Sequence, residues 1–187
     1  MIRANILGID LEFHTSPGVF SPKRVDAGTL AMLSRAGINE GDRVLDLGCG
    51  YGAAGIYAAK VAGAQNVVMS DVCGECVALA KKNAALNGMP GIKAVLSDAF
   101  DGIDEKDFNL ILSNPPYHSD FKVPKIFIEK GFNRLALGGR MLMVTKRREW
   151  YKNKFISVFG GVQIEEEGGY FIFNAARKAM GYNKQPK

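Results

Sequence analysis

Val44-Leu-Asp-Leu-Gly-Cys-Gly-Tyr-Gly52 is the stretch that decides how this chain folds. An aliphatic run over 43–47 leads into glycines at 48, 50 and 52, and a helical pattern over 53–61 follows at once. Strand, glycine turn and helix form the opening unit of an open α/β sheet, where a backbone without Cβ atoms can approach a ligand closely. Outward from it, strand-like runs recur at 66–70, 92–96, 108–113 and 141–145, separated by helical patterns over 75–86, 123–137 and 149–159. That alternation predicts parallel strands joined by crossover helices. Gly88, Gly138-Gly139 and Gly160-Gly161 read as the helix stops. The last two runs, 162–166 and 170–175, are joined only by Glu167-Gly-Gly169, too short for a crossover, so they predict an antiparallel hairpin. The expected class is α/β, with a seven-stranded, mostly parallel sheet, a C-terminal antiparallel hairpin and helices on both faces.

With 187 residues and 47% hydrophobic composition, the chain is expected to be one domain over 1–187. Residues 1–42 form a lead-in or lid segment, and 43–187 the core. Within the first segment, 15–24 reads as a loop, and Asp26 as the cap of a helix running to about Arg35. No apolar run reaches the roughly 18 residues a membrane span needs, and the opening residues lack a basic-then-apolar leader pattern, so a cytoplasmic location with no membrane partner is expected. Three cysteines make no even disulfide framework. Cys73-Gly-Glu-Cys76 is formally a CxxC, but neither His14 nor His118 stands at metal spacing from it, and no metal is expected.

Charge is uneven along the chain. Residues 1–139 carry 14 Lys/Arg against 15 Asp/Glu, whereas 140–187 carry 10 against 4. Lys146-Arg-Arg148 with Lys152 and Lys154 can face phosphates, although from charge alone a solvated helix face is the simpler reading of such a run.

Asp46 discriminates among ligands for the glycine turn. A dinucleotide places its pyrophosphate there, and an anion directly beneath it would repel. S-adenosylmethionine has no phosphate and carries a sulfonium and an ammonium, which a carboxylate attracts. Asp71 closes the next strand about 20 residues beyond the turn, where an acidic side chain can take ribose hydroxyls. After the third strand come Ser97-Asp98-Ala99, where the Asp98 carboxylate and the Ala99 main chain can meet an adenine edge. Each carboxylate alone is commonly a turn residue, but three at successive strand ends point to a cofactor site. The residues expected to line it are Asp46, Gly48, Cys49, Gly50, Gly52, Asp71, Val72, Asp98, Ala99 and Asn114.

Asn114-Pro115-Pro116-Tyr117 follows the fourth strand at the ligand-binding edge of such a sheet. An amino group on a purine or an amide is a poor nucleophile because its lone pair is delocalised. The Asn114 side-chain oxygen and the Pro115 carbonyl can accept the two N–H hydrogens and turn that lone pair toward a methyl donor. The prolines stiffen the turn without adding donors, and Tyr117 can stack on a planar substrate. Asn114, Pro115 and Tyr117 are therefore the expected catalytic residues.

The order of elements and these motifs resemble the Rossmann-like class I S-adenosylmethionine-dependent methyltransferases. More closely, they resemble the small-domain group typified by the guanine-N2 methyltransferases of 16S ribosomal RNA. Gly18-Val-Phe-Ser21 with Asp26-Ala-Gly28-Thr29, and Gly168-Gly-Tyr170, resemble that group's N-terminal signature and terminal hairpin. The resemblance implies that Phe20 lies over the cofactor and that S-adenosylhomocysteine is the product. It also implies that the partner is RNA, ribosomal RNA or a small-subunit particle, met by a monomer or homodimer. Two-domain members add an N-terminal domain that helps engage RNA, whereas here 42 residues precede the first core strand. Three other readings stay open: glutamine-N5 methylation of a protein, adenine-N6 methylation, and a non-catalytic RNA-binding module that keeps the fold. The lack of a helical domain ahead of the core argues against the first, the lack of a target-recognition domain against the second, and intact Asp71 and Asn114 against the third.

Overall fold

The computed structural model describes residues 1–116 and 120–178. A hairpin opens the chain, β1 (Ile2–Ile6) and β2 (Ile9–Phe13), followed by α1 (Ala27–Leu33). The core then runs β3 (Val44–Leu47), α2 (Ala53–Ala62), β4 (Val67–Asp71), α3 (Gly74–Leu86), β5 (Lys93–Leu96) and β6 (Phe108–Ser113). It finishes with α4 (Lys122–Arg134), β7 (Leu135–Thr145), α5 (Glu149–Phe159), β8 (Gln163–Glu167) and β9 (Tyr170–Ala176).

Seven strands pair in the order β5-β4-β3-β6-β7-β9-β8, parallel except where β9 runs against both β7 and β8. This is the class I methyltransferase fold expected from the sequence. The chain moves outward from β3 through β4 to β5, then returns to the other side of β3 as β6, so β3 and β6 straddle the point where the order reverses. A crevice opens outside the carboxyl ends of the strands at such a point.

Alternation along the strands divides the core in two. Val44, Leu110, Leu112, Leu142, Val144, Tyr170 and Ile172 face α1, α2 and α3, while Leu45, Leu47, Ile111, Met141, Met143, Phe173 and Ala175 face α4 and α5. Small residues let α2 lie close to the sheet: a Cβ on Gly55 would collide with the Met69 side chain.

Three local expectations need correction. The first 13 residues, expected only as part of a lead-in or lid segment, form a regular hairpin. Ile2, Ala4, Ile6, Ile9, Leu11 and Phe13 alternate with polar residues about a two-residue turn, Leu7-Gly8, in which both residues have positive φ. A lone two-stranded hairpin is marginal in water. Here Ile6, Leu11 and Phe13 are fully buried, each contributing ~1.5–3 kcal/mol, and Asn83 of α3 and Asn87, its C-cap, bond the main chain of β2 and its exit. The Asn83 amide accepts from His14 N at 2.7 Å and donates to His14 O at 3.0 Å, while Asn87 accepts from Glu12 N at 3.1 Å and donates to Glu12 O at 2.8 Å.

Second, α4 ends at Arg134, short of the expected 137, because Leu135 already pairs with Phe108 of β6. Third, Gly138 and Gly139 are not the helix stop. They lie where the β6–β7 register shifts between Phe108 and Leu110, Gly138 with φ +82° and Gly139 so close to Phe108 O that a Cβ would stand 2.5 Å away.

Cys73-Gly-Glu-Cys76 starts α3. Cys73 is the N-cap, and its sulfur accepts from Cys76 N at 3.3 Å, so the pair satisfies a helix terminus. No helix of the described residues is long and apolar enough to cross a membrane.

Candidate active site

A cavity of about 330 Å³ occupies the crevice at the carboxyl ends of β3, β4, β5 and β6, roofed by the segment over 20–32. Among the described residues lining it are four aspartates, Asp26, Asp46, Asp71 and Asp98, and no lysine, arginine or histidine. Such a lining repels phosphate and suits a ligand carrying positive charge.

Asp46 is 3% exposed at the end of β3, and its Oδ2 accepts from Gly55 N, in the first turn of α2, at 2.7 Å. Burial, with a further push from the Asp71 charge and opposed by the Gly55 N–H, raises its pKa to about 7. The turn after it is built by glycines in the left-handed region, Gly48 at φ +76° and Gly50 at φ +55°. Gly48 N and Cys49 N both donate to Ser70 O at 2.9 Å, tying the turn to β4. Gly52 does not line the cavity. It is the left-handed N-cap of α2, packed 3.2 Å from Ala80, Ile56 and Met69 by any added Cβ.

Asp71 braces the same turn from β4. Its Oδ2 accepts from Gly50 N at 2.8 Å and its Oδ1 from Cys73 N at 2.9 Å, which leaves one lone-pair direction on each oxygen for a ligand. Val72, 68% exposed, stands on the rim, and Asp98 and Ala99 complete the far end beyond β5. The Ser97 hydroxyl donates to Ala99 O at 2.9 Å and accepts from Gly102 N at 2.9 Å, closing the loop that holds Ala99 at φ +50°. Burial pushes the Cys49 thiol well up and the Cys76 thiol up to about 12, so both walls are neutral here. Phe20 overhangs the cavity, 50% exposed.

Asn114 leaves β6 at the inner end. Its Nδ2 donates to Asp26 Oδ2 at 2.9 Å and to Thr29 Oγ1 at 3.0 Å, so both amide hydrogens are committed. Its Oδ1 is buried and has no partner. An amide oxygen left so exposes a strong acceptor whose desolvation is uncompensated until a donor arrives. Pro115 is buried in the cavity wall and Pro116 also lines it. Tyr117, expected to stack on the substrate, lies outside the described residues, as does His118.

The structure thus gathers Phe20, Asp46, Gly48, Cys49, Gly50, Asp71, Val72, Asp98, Ala99, Asn114 and Pro115 around one cavity. Sequence reasoning missed Thr29, Tyr51 and Phe127 in the lining and read Asp26 only as a helix cap, which it also is, accepting from Thr29 N at 3.1 Å. The pattern Asp26-Ala-Gly-Thr29 carries that cap, but nothing local in it shows a contact 88 residues away.

The basic run is only partly available to phosphates. Lys154 is paired with Glu129 and Arg148 with Glu149, while the Arg147 guanidinium sits 5.0 Å over the Phe121 ring, itself stacked on Trp150 at 4.3 Å.

Residues 10–174 match the model of the family described as Methyltransferase small domain. A relative from Psychromonas ingrahamii named "Ribosomal RNA small subunit methyltransferase C" is 32% identical over 171 residues, 89% of this chain and 48% of the relative. The Bacillus subtilis protein YbxB, of uncharacterised function, is 31% identical over 90% of this chain and 87% of its own. Among solved structures, the Thermus thermophilus 16S rRNA N2 G1207 methyltransferase RsmC, in complex with AdoMet and guanosine, superposes with a TM-score of 0.85 at 30% identity, covering 94% of this chain and 50% of that one. The chain spans about half the length of these ribosomal RNA methyltransferases.

Proposed function

Because the chain belongs to the methyltransferase small domain family, we propose that it transfers a methyl group from S-adenosylmethionine to the N2 amino group of a guanine in small-subunit ribosomal RNA. The observation that carries the chemistry is the buried, unpartnered Asn114 Oδ1 in a cavity lined by four carboxylates and no basic side chain among the described residues.

The residues fit the cofactor. Asp71 keeps free lone pairs for ribose hydroxyls, Asp98 and Ala99 stand where an adenine would end, and Asp46 lies beneath the glycine turn where the positive groups would rest. When bound, S-adenosylmethionine supplies an electrophilic methyl on a sulfonium that departs as a neutral thioether. Asn114 Oδ1 accepts one N–H of the substrate amine and the Pro115 carbonyl the other, so the lone pair leaves the plane of the base and points at the methyl carbon. As the N–C bond forms and the C–S bond breaks, positive charge appears on that nitrogen, and the two acceptors stabilise it. One amine proton then passes to solvent, so no strong base is required. A base held this way has left its stack, with Tyr117 as the proposed stacking partner. Lys146 and its basic neighbours would meet the RNA backbone. Residues 1–187 then act as one methyltransferase domain.

Purified protein with methyl-labelled cofactor, offered 16S RNA and small subunits from a deletion strain, should yield N2-methylguanine on nucleoside analysis. Label in a release-factor glutamine or in DNA adenine, with none in RNA, would overturn the substrate. Undetectable cofactor binding by calorimetry would make the chain a non-catalytic module.

A further inference from the structure

Asn114 works only if its amide faces one way, and rotation by half a turn would place the NH2 group toward the substrate amine and repel it. We propose that Asp26 and Tyr170 are positioning residues that lock the Asn114 amide with its oxygen toward the substrate; this rests on the reading of Asn114 given above. A carboxylate accepts and never donates, so the atom facing Asp26 Oδ2 must be the Asn114 NH2. Thr29 Oγ1 takes the second hydrogen, and a flipped amide would set oxygen against the Asp26 carboxylate.

Asp26 is itself held on both oxygens. Its Oδ2 is shared with Thr29 N at 3.1 Å, which makes it the cap of α1, and its Oδ1 accepts from the Tyr170 hydroxyl at 3.1 Å. Tyr170 opens β9, 144 residues away, and reaches Asp26 only because residue 28 is glycine. A Cβ there would stand 2.5 Å from the Tyr170 ring. The Lys146 ammonium lies 5.0 Å over the same ring from β7's exit. Two stretches with no obvious chemistry, Asp26-Ala-Gly-Thr29 and Gly168-Gly-Tyr170, are therefore one device converging on the reacting group. The acceptor's partner being a charged carboxylate also polarises the amide and strengthens Oδ1 as an acceptor.

The test uses the full chain with three variants, and Asn114→Ala as the control for assignment. Single-turnover methylation of small subunits, cofactor affinity and the side-chain amide proton resonances of Asn114, identified by their loss in Asn114→Ala, are measured in each. Asp26→Ala should slow methyl transfer about 100-fold and Tyr170→Phe about 10-fold, the scale of one or two lost hydrogen bonds to a charged group. Cofactor affinity should stay within about twofold of wild type in both. Asp26→Asn, which keeps an oxygen acceptor and the cap, should recover to within about fivefold. The Asn114 amide hydrogens should exchange slowly in wild type and fast in Asp26→Ala, a readout that needs no substrate. Where Asp26→Ala does not fold, Tyr170→Phe decides, since it keeps the ring packed on Gly28. Wild-type transfer rates in Asp26→Ala, or in Tyr170→Phe where Asp26→Ala does not fold, together with unchanged amide exchange would overturn the proposal. Wild-type protein that methylates no guanine, while the amide behaves as expected, would overturn the functional reading alone.

Discussion

Cofactor affinity should rise with pH through the mildly acidic range, and Asp46 should be the reason. Its carboxyl is buried beneath the glycine turn with a pKa near 7, so between pH 5.5 and 7.0 its ionised fraction in the free protein climbs from about 0.03 to about 0.5. A sulfonium and an ammonium bound beside it favour the carboxylate, so the complex carries it ionised and binding releases the proton. The affinity gain over that interval is about 15-fold, or ~2 kcal/mol. The neighbouring thiols of Cys49 and Cys76 are pushed upward and stay protonated throughout. Calorimetry at pH 5.5, 6.0, 6.5 and 7.0, in buffers of different ionisation enthalpy, should show close to one proton released per cofactor at the acid end and about half at pH 7. Asp46→Asn retains an acceptor for Gly55 N and should flatten the profile. Equal affinity at pH 5.5 and 7.0, or the same slope in Asp46→Asn, would refute the reasoning. The sign for stability is opposite. A pKa raised from 3.8 to about 7 stabilises the free protein fully below pH 4, and this stabilisation is lost as pH rises through 7, by on the order of 4 kcal/mol in all.

Asn114→Ala should leave cofactor affinity within about twofold while reducing transfer by more than about 100-fold, read by calorimetry and single-turnover methylation. Asp71→Ala should act the other way, weakening the cofactor roughly 10- to 100-fold, because Gly50 N and Cys73 N lose their acceptor and the turn loosens. Gly28→Ala should lower stability by about 1–3 kcal/mol in denaturant titration, since the added methyl meets the Tyr170 ring at 2.5 Å. Replacing Lys146 and Lys152 by alanine should reduce the salt dependence of RNA binding, a log-log slope smaller by up to about two, whereas Arg148→Ala and Lys154→Ala, already paired with Glu149 and Glu129, should leave it unchanged.

Local chemistry made much of this molecule legible. Short aliphatic runs between helical patterns placed the parallel strands, because a strand covered by helices on both faces is apolar at successive positions. Aspartates at the ends of three successive strands, beside a glycine turn, located the cavity, since strand ends of a parallel sheet fall on one edge. The N-terminal hairpin is equally present in the alternation from Ile2 to Phe13, but its Leu-Gly turn lacks the Asn or Asp that usually marks one. Less could be known of Leu135 to Gly139, whose helical spacing and glycines fit a helix end. Pairing with Phe108 makes them strand and bulge instead. Residue types and spacing alone determined that a carboxylate-lined cavity and an amide acceptor meet at the sheet edge. Only tertiary structure decided which way that amide faces, because its orientation depends on Asp26 and Thr29 from one end of the chain and on Tyr170, held against Asp26, from the other. Hydrogen bonds spanning 88 and 144 residues leave no periodic trace in a sequence.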